Sequence, residues 1–300
     1  MIAPADPIIE RGNRWWRIAT NTTAKSCALM SRKPIGSAGA FIFLVMIILA
    51  IFSAQLATHA PNKQSASNRL LAPSTAHWMG TDEAGRDVWS RVVYGARVSL
   101  YVGLVSVVLA TVAGTALGMT SGFIGGRTDI IVQRIVEMFL AFPTLILALV
   151  IMAILGPSVN NLIFAVVMAL TPRFSRVVRG CALATKEEPY IDAARAIGAK
   201  PVRILSLHLL PNILAPIIVL ASTNLGIIIF IEASLSFLGF GTPPPTPSWG
   251  RMLSGTASGY FQIAWWLAFF PGLVLSLTIL GVNLLGDALR DIWDPRLRGR

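Results

Sequence analysis

The chain has 300 residues, 54% of them hydrophobic and only 13% charged, with a mean hydropathy of +0.67. That composition excludes an ordinary water-soluble domain and points to a membrane protein. The net charge of +11 would suggest nucleic acid in a soluble protein, so the basic residues must first be placed relative to the apolar runs.

Met1 to Lys33 is polar and basic, with Trp15 and Trp16 suited to the headgroup level. Residues 1–34 read as a cytoplasmic N-terminal segment. The first apolar run, 35–57, starts too late for a secretory signal and is long enough to cross a bilayer. Residues 58–97 read as an external segment. From Asp87 onward, Val88, Val92 and Ala96 recur at i, i+4 and i+8, which predicts an amphipathic helix lying in the interface. Thr81 or Asp82 offers a cap to a preceding turn. This stretch reads as a structural elbow or as a surface for an external partner. A second span runs from Val98 to about Phe123, with Gly114, Gly118 and Gly122 forming a small-residue face for close helix packing.

Gly125 to Glu137 reads as a short polar link, followed by a third span, Met138 to Leu155, kinked at Pro143. The two adjacent glycines are no phosphate loop, because no Gly-Lys-Ser/Thr follows. Residues 156–161 read as a turn. A fourth span, from Val159 to about Val178, requires Arg173 to snorkel outward. Without it, a stretch carrying Arg173, Arg176, Arg179, Lys186, Arg195, Lys200 and Arg203 would face outside, against the positive-inside rule. A fifth span runs from Ile213 to about Leu235. Phe240 to Gln262 is a Pro-rich external loop, read as extended and semi-rigid. A sixth span, Ile263 to about Leu285, opens with Trp265-Trp266 and is broken by Pro271. The charged residues that follow, with 288–300, form a cytoplasmic tail. Six spans place both termini in the cytoplasm and leave 19 of the 25 basic residues inside, so the basic excess sets membrane orientation and does not argue for nucleic acid.

Between the fourth and fifth spans lies a polar, helix-forming island at about 185–211. Glu187 and Glu188 precede Pro189, a helix-start signal. Tyr190, Ala194 and Ile197 follow at i, i+4 and i+7, which predicts one helix face. Ala193, Ala194 and Ala196 keep the surface low, and Gly198 permits a sharp exit. A second amphipathic turn carries Val202, Leu205 and Leu209, and Pro211 closes the unit. Such a helix–Gly–helix suits docking into a groove on a soluble partner; the alternative is a solvated loop.

No nucleophile elbow, HExxH or P-loop is present, so no catalytic residue is assigned. Cys27 and Cys181, and the scattered His59, His77 and His208, suggest no disulfide framework and no metal ligand set. Glu232 is the one acid inside an apolar run. It reads either as attraction for a substrate amine or as a hydrogen-bonded structural group near its span's end, with Asn224 and Asn283 as weaker polar candidates.

Asp192-Ala-Ala with Gly198 and Pro211 resembles the coupling loop of ABC importer permeases, with Asp192 where that family has Glu. The resemblance extends from about His77 to Arg300. It is similar to the C-type subunit of bacterial dipeptide/oligopeptide ABC permeases through Gly80-Thr81-Asp82, Gly85-Arg86-Asp87, Gly95 to Leu100, Pro244 to Gly250, and Gly286 to Asp291. It implies an all-α integral membrane protein of six helices with the type I ABC importer fold, spanning 98–287 as its core, in the bacterial inner membrane. It implies ATPase coupling through Glu188, Tyr190, Asp192, Ala193, Ala194, Arg195, Ile197 and Gly198. It implies a homologous second permease, two cytoplasmic ATPases that carry ATP and magnesium, and an external solute-binding protein. Asp82, Arg86, Asp87 and Trp249 are candidate contacts for that binding protein. No cofactor is expected in this chain. Related importers of nickel or glutathione share much of the pattern, and an ion-coupled transporter using Glu232 is the competing class.

Overall fold

A computed structural model of the chain describes residues 34–256 and 259–293. The readings made for Trp15, Trp16 and Cys27, and for the end of the tail beyond Trp293, lie outside the described residues. Among the described residues the only β pairing is a single bridge between Thr81 and Asp87. All else that is regular is helical, as hydrocarbon requires of a chain that must satisfy its own backbone.

Helix α1 covers Pro34–Ile51, and after a break at Phe52 a single turn, α2, covers Ser53–Leu56. Helix α3, Val88–Ile124, is 37 residues long. At 1.5 Å per residue it reaches about 56 Å, far more than the ~30 Å of bilayer hydrocarbon. The separate interfacial helix expected before the second span is therefore the N-terminal end of α3. Val88, Val92, Val93 and Ala96 are buried in protein rather than laid on lipid, and no proline interrupts the helix between Asp87 and Val98.

The polar link expected at 125–137 is also a helix. Gly126–Leu140 (α4) meets Thr144–Leu155 (α5) at an angle of 88°. Pro143 does not kink a continuous span; it sits at the N-cap of α5, where its missing N–H costs nothing. Helix α6, Val159–Thr185, carries the expected fourth span about two turns further than the sequence suggested, with Arg173 and Arg176 exposed.

A short helix α7, Pro189–Ala196, follows. Helix α8 then runs from Pro201 to Phe237 without interruption, through a π turn at Leu205–Leu209. Pro211 thus does not close the preceding unit. The wide turn accommodates a residue that lacks an N–H and whose ring would clash one turn back. The Asn212 side-chain amide donates to the His208 carbonyl at 2.6 Å, giving that oxygen a partner. The Pro-rich stretch is not all extended, since Trp249–Thr256 forms helix α9. Helix α10, Trp266–Trp293, contains Pro271 near its start and is not broken there; it also takes in the first part of the expected tail.

Five helices are long and apolar enough to cross a membrane, and the bent α4–α5 pair makes a sixth crossing if counted as one span. The most extensive contact is between α3 and α6. Gly114, Gly118 and Gly122 bring the α3 backbone against Phe174, Ser175, Arg179 and Ala182, with no room for a side chain between them. Helix α1 packs on α10 in the same way, Gly36 on Ala288 and Gly39 on Leu284. Leu162, Leu170, Phe174, Ile228, Ile229 and Leu235 fill the shared interior. Where α4 meets α6, Arg179 donates two hydrogen bonds to the Asp129 carboxylate, at 2.6 and 2.5 Å. Such a fork on a carboxylate fixes orientation as well as distance.

Gly118→Val should lower stability by ~1–3 kcal/mol through overpacking, read as an earlier thermal unfolding midpoint of the purified protein in detergent. Gly180→Ala, on α6 with nothing within 4 Å of an added carbon, should not lower it. Equal midpoints for wild type and Gly118→Val would show that the close contact is not needed.

Candidate functional site

Helix α7 starts as its residues dictate, with Glu188 extended at the N-cap and Pro189 at the first turn. Its inward face is Ile191 and Ala194, both buried, packed with Ile204 of α8, Ala199 and Phe123 at the end of α3. The guanidinium of Arg195 lies 5.4 Å from the centre of the Phe123 ring, within cation–π range. Asp192 pairs with Arg195 at 3.1 Å on the exposed side, a contact of small energetic weight in water.

The expectation that Tyr190, Ala194 and Ile197 share a face is not met. Ala194 points inward, while Tyr190 is 39% and Ile197 85% exposed. The helix ends at Ala196, so the 3.6-residue period no longer sets the direction of Ile197. Gly198 then turns the chain at φ +79°, a conformation that favours glycine. Beyond it Val202 is 75% exposed. Tyr190, Ile197 and Val202 leave apolar surface uncovered around a rigid short helix, the arrangement that suits a groove on another protein. Phe123, Ile191 and Ile204, which anchor the helix from beneath, were missed by the sequence reading. The spacing of Ile191 and Ala194 was the available signal; Phe123 lies too far away in sequence to give one.

Glu232 is completely buried near the end of α8. The Ser236 hydroxyl donates to its Oε1 at 2.8 Å, and Ser99 of α3 and Ser248 stand beside the carboxyl group. The loop closes over this spot: Gly250 sits against the Ala233 backbone, and Trp249 is wholly buried against Gly95. The Trp249 indole N–H donates to the Val92 carbonyl at 3.0 Å. Asn224 is buried and donates to the Leu220 carbonyl one turn back at 2.7 Å. Asn283 differs. It is exposed midway along α10, with its amide over Gly226 of α8.

The four candidate outer contacts also divide. Asp82, Asp87 and Trp249 are buried and hold the segment together, so they offer a partner little surface. Asp82 accepts the Ala84 and Arg86 backbone N–H groups at 2.9 Å each and the Arg86 Nε at 2.6 Å. It thus caps its own turn, closed by Gly85 at φ +71°. Arg86 also lines a cavity of about 340 Å³ with Arg91, Arg251, Pro244 and Pro245. Asp87 is the N-cap of α3, accepting the Ser90 backbone N–H at 2.9 Å. Burial works to raise its pKa. The Ser90 hydroxyl and N–H, the His77 ring and the proximity of His59 outweigh that and hold it below the ordinary aspartate value.

The expectation of scattered histidines is overturned here. His59 and His77 come together beside Asp87, their ring centres 4.7 Å apart. Folding of the outer segment joins them, and spacing alone could not show it.

A model of the family described as "Binding-protein-dependent transport system inner membrane component" matches residues 114–299. The "N-terminal TM domain of oligopeptide transport permease C" matches residues 30–73. The chain is 43% identical to a dipeptide transport system permease protein of Alkalihalophilus pseudofirmus, over 90% of this chain and 88% of that protein. It is 40% identical to a probable D,D-dipeptide transport system permease protein of Escherichia coli, over 92% and 93% respectively. Among solved structures, a chain of the inward-facing MetNI methionine ABC transporter superposes with a TM-score of 0.54 at 23% identity, covering 68% of this chain and 94% of that one. That likeness establishes a shared type I importer transmembrane fold.

Trp249→Phe removes the buried N–H donor and should cost about 1 kcal/mol, and Trp249→Ala about 3–5 kcal/mol, measured by thermal unfolding. A Trp249→Ala protein as stable as wild type would contradict its place in the core.

Proposed function

The chain belongs to the binding-protein-dependent transport system inner membrane components, multi-pass proteins of the inner membrane, and from that premise we propose that it forms half of the pathway of an ATP-driven importer of di- and oligopeptides. The other half is a homologous permease, two cytoplasmic ATPases supply the energy, and an external binding protein delivers substrate. ATP and magnesium belong to the ATPases. The peptide class rests on the named relatives, which are dipeptide permeases.

The observation that carries the reading is α7, anchored beneath and bare above. Its links to α6 and α8 are short, and Ile191, Ala194 and Ile204 hold it to Phe123 of α3. A partner that grips Tyr190, Ile197 and Val202 therefore has hold of three spans at once. When paired ATPases close on ATP, α7 moves and the attached spans tilt, exposing the central cavity alternately to the two sides. In this reading the basic residues around α7 face the cytoplasm, as do both termini. Residues 57–87 and the loop around α9 then face outside, where the binding protein docks. Asn283 is the polar candidate for the pathway wall, since it is exposed midway along α10.

An ion-coupled transporter would need a titrating group in contact with the pathway. Glu232 does not suit that role, because it is sealed behind Trp249 and the loop.

Ile197→Asp should weaken co-purification with the ATPases by roughly tenfold or more, the weight of an interface anchor, and abolish substrate-stimulated ATP hydrolysis. Gly198→Arg should do the same by straining the left-handed exit of α7 while leaving the spans inserted. ATPase binding and coupling at wild-type levels in both variants would refute the docking assignment. Glu232→Gln should leave dipeptide uptake into membrane vesicles within about twofold of wild type, because the amide keeps an oxygen for Ser236. A large loss in correctly assembled protein would give the carboxylate a part in transport.

A further inference from the structure

Three points along the 57–87 segment converge at the N-terminal end of α3. His59 follows the single turn α2, His77 lies in the long loop, and Asp87 caps α3. One ligand atom from each lies within 4.8 Å of the others. His77 Nδ1 is 2.9 Å and His59 Nδ1 3.8 Å from the same Asp87 oxygen, Oδ1. In a tetrahedral site with bonds near 2.0 Å, neighbouring ligand atoms stand about 3.3 Å apart, so the two separations bracket the required value.

The support around this group is already ordered. The other Asp87 oxygen, Oδ2, accepts from the Ser90 backbone N–H at 2.9 Å, the Ser90 hydroxyl at 2.7 Å and Thr58 at 3.2 Å. Oδ1 is thereby aimed at the histidines. The His59 backbone N–H donates to the Ser90 hydroxyl at 3.0 Å. The His77 carbonyl accepts the Ser74 and Gly80 N–H groups at 2.8 and 2.9 Å. Fixing ligands from behind in this way is the general role of outer-shell hydrogen bonds at metal centres. His77 and Asp87 are buried, whereas the His59 side chain is 41% exposed, so an ion can enter past His59 and keep a solvent-facing fourth position. A helix cap needs only the carboxylate, and one histidine satisfies its Oδ1. The second ring, tilted at 31° to the first and with its Nδ1 3.0 Å from the Thr58 hydroxyl oxygen, is not required by capping.

We propose that His59, His77 and Asp87 bind one divalent transition-metal cation of the zinc class, which clasps the exit of the first span and the outer loop onto the cap of α3. Two imidazoles and one carboxylate suit zinc, and nickel or copper as competitors, better than magnesium or calcium. The site lies apart from α7 and does not depend on the peptide assignment.

The test uses the full-length chain in lipid nanodiscs, carried on a tag without histidine and stripped with chelator. Zinc is titrated against a chromophoric indicator, and cobalt is added separately to read the visible bands of a tetrahedral ion. Expected is one zinc per chain, a cobalt spectrum of tetrahedral intensity, and a thermal midpoint raised by zinc. His59→Ala, which alters an exposed side chain, should weaken binding at least ~10-fold and remove the thermal shift. His77→Gln should do the same, and His208→Ala on α8 should change nothing. Absence of saturable binding to wild type would overturn the proposal. So would several weak sites, or a single site, unaffected by His59→Ala and His77→Gln.

Discussion

The close approach of α3 and α6 along Gly114, Gly118 and Gly122 is the contact on which the rest of the bundle depends. Lipid offers little hydrophobic drive between helices, so dense packing of backbone on backbone must supply the association. That contact brings the end of α3, with Phe123, to the place where α6 ends and α7 begins. Helix α7 is therefore anchored to a span it does not adjoin in sequence. The Asp129–Arg179 fork adds direction at the same end by tying α4 to α6.

The two ends of α3 are built on different physics. At its N-terminal end Val88 and Val92 pack on Ala264, Trp266 and Leu267, and Gly95 lies against Trp249. The Asp82 turn and the Asp87 cap there are closed by hydrogen bonds. At the other end α7 is held by a small apolar contact and a ring–guanidinium pair, while its outer side stays bare. The first arrangement is a polar, capped scaffold. The second holds a short helix from beneath and leaves apolar surface uncovered above it.

Buried polar side chains in this chain are mainly architectural. Asp87 begins a helix, and Asp82 closes a turn. Asn224 bonds to its own helix one turn back, and Glu232 lies sealed beneath a loop. Asn283 stands apart, because its surroundings leave it open on the face of α10. A polar residue in a span earns a functional reading from where its side chain goes, not from its polarity.

Hydropathy determined by itself that the chain is a helical membrane protein, because a bilayer allows few ways to satisfy a backbone. Charge placement determined the need for a fourth span, and Glu188-Pro189 with Gly198 determined the start and exit of α7, because caps and left-handed turns are local chemistry. The tertiary structure decided what locality could not. Val88 to Ala96 could have been an interfacial helix; it is instead buried against Trp249 and the start of α10, continuous with the span. Pro143 could have kinked a span, but an 88° break made two helices. Tyr190, Ala194 and Ile197 read as one face, yet only Ala194 is buried, and Ile197 lies past the end of α7 at Ala196. Trp249 read as a candidate contact for a binding protein and is wholly buried. His59 and His77 carry no ligand spacing, because 17 residues stand between them. Only the folded loop, closing on the cap of α3, set their rings side by side.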